Sequence, residues 1–153
     1  MFIIRKAVAA DIPALRILEK ELIEHERKII PAIKDGDDVY YQNIPALIND
    51  AVNTLVLVMT INGEVIGCGM GQIRKNEHYY KDECFGYIGM MSIAHNYRGN
   101  GYGPLIIEEL INWLKTKNVN EVQLKAFAGN HGALKAYKKL GFENFSIDMK
   151  LEI

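Results

Sequence analysis

Residues 98–103 read Arg98-Gly99-Asn100-Gly101-Tyr102-Gly103, a turn with glycine at every second position. Glycine reaches positive φ at no steric cost, so successive backbone N–H groups in such a turn can point inward together. The turn follows a strand-like run, Phe85 to Ala94, and precedes an apolar-striped helix. A nest of N–H groups opening on a helix N-terminus carries partial positive charge and suits a phosphate. Arg98 adds a full charge beside it.

Two better-known phosphate cradles fail. A P-loop requires Gly-Lys, and that dipeptide does not occur in the chain. A dinucleotide fingerprint, G-x-G-x-x-G, fits Gly99 and Gly101 but meets Pro104 at its third glycine. Glu121 lies about twenty residues on, where a ribose-binding acid would be sought. It precedes the next apolar run instead of ending it.

What remains is [QR]-x-x-G-x-[GA] after a strand. Downstream stands Asn130-His131-Gly132-Ala133-Leu134-Lys135-Ala136-Tyr137-Lys138-Lys139-Leu140-Gly141-Phe142, after a second strand-like run, Glu121 to Ala128. Together these segments resemble the two signatures of the GNAT superfamily of N-acetyltransferases, the second being N-x-x-A-x-x-x-Y-x-x-x-G-F. Upstream, Met91-Ser92-Ile93-Ala94-His95-Asn96-Tyr97 is similar to the family's strand-to-loop segment, with His95 where proline is common. The resemblance covers residues 85–142, and the first eighty residues match only in their order of elements.

The resemblance implies acetyl-CoA as co-substrate, no metal, and direct transfer to a primary amine. It implies a coenzyme site made of Met91, Ser92, Ile93, Arg98, Gly99, Asn100, Gly101, Tyr102, Gly103, Asn130, Ala133 and Tyr137. Backbone groups of Met91 and Ile93 would receive the coenzyme's amide-rich arm as an added strand. Ala133 would be small so that this arm can lie against the helix. Asn130 is also a natural helix N-cap. Pro104 has no N–H and can supply no phosphate donor. Tyr137 would be the catalytic proton donor.

Acetyl transfer sets requirements of its own. A lysine-like amine, with a pKa near ~10.4, is neutral in roughly one part in 10³ at pH 7. Reaching the free base costs about 4–5 kcal/mol. A base, direct or through water, must take that proton. The leaving thiolate needs a proton or a hydrogen bond. Complete transfer from a tyrosine of pKa ~10 to a thiolate of ~8.5 is uphill by about 2 kcal/mol, so a strengthening hydrogen bond serves as well as full protonation.

The base leaves no such mark. In some relatives a glutamate stands on the central strand, at the position taken here by Tyr87. Glu83, His78, Glu26 and His25 are candidates by chemistry alone. The expectation is a base-limited pH profile without one indispensable carboxylate. His95 and His131 read as loop residues. In the family the first helix, the loop after it and the second helix form a wall of the acceptor site. Here that region carries Glu24, Glu26, Asp35, Asp37 and Asp38 against Arg27, Lys28 and Lys34. Asp82 and Glu83 add to a mildly acidic rim suited to a cationic small-molecule amine. A protein lysine or N-terminus, and a non-catalytic acyl-CoA-binding module, are the alternatives.

The elements that must position these residues alternate β and α, predicting one α/β domain over 1–153 with a mixed central sheet flanked by helices. Phe2 to Val8 reads as a strand. Asp11 caps a helix with Pro13 in its first turn, an apolar stripe of Leu15, Leu18 and Leu22, and a Glu24–Lys28 pair. Residues 43–52 suit a short second helix. Thr54–Ile61 and Glu64–Ile73 form a hairpin through Asn62-Gly63. The helix after the cradle carries Ile107, Leu110, Ile111 and Leu114 on one face. Val122–Phe127 is a strand, Gly132–Leu140 a helix, and Phe145–Leu151 a closing strand. That last strand is either single or completed by a neighbouring subunit, which makes a homodimer.

At 153 residues the chain suits one core. It is 49 % hydrophobic and 24 % charged, ordinary values for a globular domain. A formal net charge of −1 with dispersed basic residues argues against nucleic acid and anionic membrane. Cys68 in an apolar run reads as a buried thiol. No apolar run approaches a bilayer span, and residues 1–6 lead into the first strand without a signal-peptide pattern, so a cytoplasmic location is the expectation.

Overall fold

A computed structural model describes all residues, 1–153. Five strands form one sheet in the order β1 (Phe2–Lys6), β2 (Thr54–Ile61), β3 (Glu64–Lys75), β4 (Cys84–Ile93) and β5 (Val122–Leu124). The first four pair antiparallel, and β5 joins β4 in parallel. α1 (Ile12–Arg27) and α2 (Ile44–Asn49) lie between β1 and β2, α3 (Tyr102–Lys115) lies between β4 and β5, and α4 (His131–Lys139) follows β5.

The sheet is covered on both faces, which is why β2 carries an unbroken apolar run, Leu55 to Met59, instead of alternating. Val56 and Val58 pack with Leu15 and Leu18 of α1 and Ile44 of α2. Leu57 and Met59 pack with Ile106, Ile107, Leu110 and Leu114 of α3. The second face is unusually close. A Cβ at Gly69 would stand 2.7 Å from Ile106 Cγ2, and one at Gly86 2.8 Å from Leu114 Cδ1. These missing side chains seat α3 directly on the sheet.

Four local expectations are corrected. Asp11 stands at the start of α1 but makes no capping bond to it. Its carboxylate instead accepts from Arg5 Nη1 and Nη2 at 2.7 and 2.9 Å and from the Val8 N–H at 2.8 Å. Glu24 pairs with Arg27, not Lys28. Ile23, not Leu22, completes the buried stripe of α1, and Ile106 is buried where Ile111 was expected. The Arg5 guanidinium on β1 occupies both Asp11 oxygens, which leaves neither for the helix.

The closing strand is the largest difference. Residues 143–153 belong to no strand and make no hydrogen bond with the rest of the chain. Pairing needs an edge within reach, and the arm leaves α4 without returning to β5.

Candidate functional site

The cradle is built as its glycines require. Gly99 and Gly101 sit at φ 79° and 78°, the left-handed region that side chains avoid. Gly101 is the N-cap of α3, so Tyr102 and Gly103 already lie in the helix. Gly103 therefore contributes through a helical first turn, not through a positive φ. The consequence is a run of five N–H groups, Gly99 to Gly103, with no acceptor inside the chain. Nothing lies within 4 Å of the Cβ positions of Gly99, Gly101 or Gly103, so the mouth is open. Unpartnered donors at a helix N-terminus suit a phosphate-sized anion.

The side chains around the cradle close the turn instead of filling it. Asn100 Nδ2 donates to the Tyr97 carbonyl at 3.0 Å. Arg98 Nε donates to the Ile93 carbonyl at 2.9 Å, which fixes the end of β4 to the loop. Tyr102 packs edge-on against Phe2, with ring centroids 5.8 Å apart.

Beside the cradle the sheet opens. β4 and β5 pair only at Gly86–Val122, Tyr87–Gln123 and Ile88–Leu124. From Gly89 to Ile93, β4 runs on without a neighbour on that side. Within this stretch Met90 sits at φ 51°, and the pairing with β3 skips from Met70–Gly89 to Cys68–Ser92. A bulky residue at positive φ in a strand marks a bulge, a device that re-aims a strand edge. Cys68 Sγ donates to the Met90 carbonyl at 3.3 Å, and burial pushes its thiol pKa to about 12. Cys68 is thus the buried structural thiol expected.

Met91 and Ile93 lie in this open stretch with half-buried side chains packed on the α3 core. Ser92 is buried and its hydroxyl donates to the Leu18 carbonyl at 3.2 Å. Only its backbone is left for a ligand.

α4 supplies the other wall. Asn130 is its N-cap, with Oδ1 accepting from the Ala133 N–H at 3.3 Å. Tyr137 is half-buried, and its hydroxyl has no partner in the chain. Burial raises its pKa, and the Glu26 carboxylate and Tyr87 raise it further. A phenol so placed keeps its proton.

Of the four candidate bases, three lie on the surface. His25, His78 and Glu83 are exposed. Glu26, half-buried near the end of α1, is the carboxylate whose charge is felt at both Tyr137 and Tyr41. Tyr41 is about two-fifths exposed, and partial desolvation, then Glu26, raise its phenol above the ordinary range. Tyr87 holds the guanidinium of Arg74 over its ring at 3.6 Å, a cation–π contact.

Sequence reasoning missed Glu19. It is buried on α1, accepting from Arg16 Nη1 at 3.1 Å and from the Gln42 N–H at 3.0 Å. Arg16 in turn donates to the Gln42 carbonyl at 2.9 Å. The pair fastens the loop before α2 to α1. Arg16 and Glu19 three apart were the available signal, since such residues share a helix face.

The acetyltransferase (GNAT) family matches residues 18–142. N-alpha-acetyltransferase 30 of Saccharomyces cerevisiae is 33 % identical over 57 residues, which is 37 % of this chain and 32 % of that protein. The chain spans about a third of the length of that curated relative. A mutant of the BH1408 protein of Bacillus halodurans superposes with a TM-score of 0.87 over 99 % of both chains at 21 % identity. A predicted acetyltransferase of Clostridium acetobutylicum, solved with acetyl-CoA, gives 0.78 over 99 % and 96 % at 23 % identity. The cradle, the open edge of β4 and the tyrosine of α4 stand within the matched residues, and the chain belongs to the acetyltransferase (GNAT) family.

Proposed function

We propose that this chain transfers an acetyl group from acetyl-CoA directly to the primary amine of a small cationic molecule. The observation that carries the reading is the run of five unpartnered N–H groups at the mouth of α3. They would hold the pyrophosphate, with Arg98 beside them. The unpaired stretch of β4, Met91 to Ile93, would take the amide arm in place of a neighbouring strand. Asn130 and Ala133 would border that arm from α4.

The chemistry then falls to few groups. The amine nitrogen bonds to the acetyl carbon as the carbon–sulfur bond breaks. Tyr137 Oη, protonated and without a partner, donates to the departing sulfur. Glu26 attracts the cationic acceptor and lies on the path of the proton it loses to water. Tyr41 and Tyr87 bound the same space, and a carboxylate among tyrosines suits a compact cation.

The N-alpha-acetyltransferase relative favours a second reading, a protein N-terminus as acceptor. Coenzyme release across polyamines, amino sugars and peptides with free N-termini separates the two. Binding of acetyl-CoA without turnover on any amine would identify a regulatory module instead. The cradle is tested by Gly101→Val. Nothing in the chain crowds that position, so the fold should survive the strained φ at a cost of about 1–2 kcal/mol. Calorimetry should show coenzyme A binding lost. Unchanged affinity in the folded variant would refute the assignment.

A further inference from the structure

We propose, resting on the acetyltransferase reading above, that Arg74 sets the acceptor's class by holding a carboxylate at the end remote from the amine. The acceptor is then a small amino carboxylate. Three features lead there.

The first is an unused fork. The chain has five arginines. Arg5, Arg16 and Arg27 each pair with a carboxylate, and Arg98 stands at the cradle. Arg74, near the end of β3, has no acidic partner. Its Nε donates to Gln72 Oε1 at 2.9 Å, the one hydrogen bond of its side chain. Nη1 and Nη2 are left as free donors. The residue is nonetheless half-buried, so it has lost hydration without gaining a counter-charge. A planar fork of this kind matches the two oxygens of a carboxylate.

The second is how firmly the fork is held. Its guanidinium carbon lies 3.6 Å from the centre of the Tyr87 ring. A chain of hydrogen bonds holds it from behind. Thr54 Oγ1 donates to Asp50 Oδ2 at 2.8 Å, and Gln72 Nε2 donates to Thr54 Oγ1 at 3.2 Å. With its nitrogen so engaged, the Gln72 amide offers Oε1 to Arg74. Thr54 is buried and Gln72 half-buried, where such chains strengthen one another. A guanidinium fixed in advance loses little rotamer freedom when a ligand arrives.

The third is its place. Gln72 stands opposite Tyr87 in the β3–β4 ladder, and Arg74 opposite Phe85, so the stack crosses the two strands diagonally. The unpaired stretch of β4 begins at Gly89, two residues beyond Tyr87. Tyr87 is common to both ends of the arrangement. Arg74 lies on its ring, and Tyr137 feels its hydroxyl together with the Glu26 carboxylate.

Glu26 and Arg74 thus bring opposite charges to one neighbourhood. That suits an acceptor with an ammonium at one end and an anion at the other. A polyamine would set a second cation against an unpaired guanidinium, which is a penalty against that class. The single charge of a carboxylate matches the single charge of the fork.

NMR titration of the full chain saturated with coenzyme A tests this without turnover. The probes are lysine, ornithine, 4-aminobutanoate and 5-aminopentanoate, each against its primary amide. At least one carboxylate should bind about ten to a hundred times more tightly than its amide, the range of a charge-assisted pair. Arg74→Met keeps an apolar stem over Tyr87 and removes the fork, so carboxylate and amide should bind within about twofold of each other. Arg74→Lys keeps the charge without the fork, and the preference should fall to about threefold. It carries the test if circular dichroism shows the methionine variant unfolded. Amides that bind as well as every carboxylate would overturn the proposal. So would a preference untouched by either substitution, or O-phosphoethanolamine binding more tightly than every carboxylate. Acetylation of the same probes is scored separately. A carboxylate preference that depends on Arg74, with no probe acetylated, would uphold the site and refute the transferase reading. Acetylation of carboxylates and amides alike would do the reverse.

Discussion

Tyr137 and Phe142 meet edge to face, ring centroids 6.2 Å apart and planes at 66°, across the turn that ends α4. The turn itself is a Schellman motif. The Phe142 N–H bonds to the Tyr137 carbonyl at 3.1 Å and the Gly141 N–H to that of Lys138 at 3.0 Å, with Gly141 at φ 99°. The residue proposed to donate the proton is thus held by the residues that stop its helix.

That contact separates chemistry from packing. Tyr137→Phe keeps the ring and loses the donor. Turnover should fall by roughly 10²–10⁴-fold on an acceptor for which chemistry is rate-limiting, while coenzyme affinity and melting temperature hold. Phe142→Ala should do the opposite. It removes the ring that braces Tyr137, so the melting temperature should drop with a smaller loss of turnover. Wild-type turnover in Tyr137→Phe would return the residue to the core.

Glu26 should be felt in acceptor binding. Glu26→Gln keeps the shape and removes the charge felt at Tyr137 and Tyr41. KM for a cationic amine should rise about tenfold, or about 1.4 kcal/mol, with kcat changed far less. Alanine at His25, His78 or Glu83, all exposed, should leave kinetics within about twofold. A thousandfold loss in kcat for Glu26→Gln, with the rising limb of the pH profile flattened, would show instead that Glu26 is the obligate base.

The Arg5–Asp11 pair ties β1 to the start of α1 and carries a pH signature. The Arg5 guanidinium, then the Val8 N–H, hold the Asp11 carboxyl below its usual range against the effect of burial. A lowered carboxyl pKa stabilises the fold above the ordinary value, near ~3.9, and that stability is lost as pH falls through the lowered one. Arg5 is about two-fifths exposed, so solvent screens the pair. Asp11→Asn should cost roughly 1–2 kcal/mol at pH 7 by urea unfolding. The gap from wild type should close in acid. A gap that persists at pH 2 would mean that the charge is not its source.

Short-range patterns carried most of the fold into view. Periodicity marked α1 and α3, Asn62-Gly63 marked the β2–β3 hairpin, and glycine spacing marked the cradle, because each is settled within a few residues. The misses are settled at a distance. Glu19 is buried because Gln42, twenty-three positions on, folds back over it. Glu26 and Tyr137 stand 111 positions apart, so the charge of one is felt at the other only in the folded chain. The bulge at Met90 depends on how β4 registers with β3, and a methionine gives no hint of positive φ. The alternation at Phe145–Leu151 is that of a strand, but the segment pairs with no strand of this chain.

The three-residue ladder between β4 and β5 divides the molecule energetically. β2, β3 and the body of β4 are long, fully paired and buried, and their amides should exchange with solvent only on global unfolding. β5 hangs on three residue pairs and α4 has no buried residue, so together they form the least protected cooperative unit. Asn130 and Tyr137 ride on that unit. A ligand that bridges the cradle and α4 would act as a clasp between a rigid half and a breathing one, and part of its binding energy would go into holding the breathing half shut.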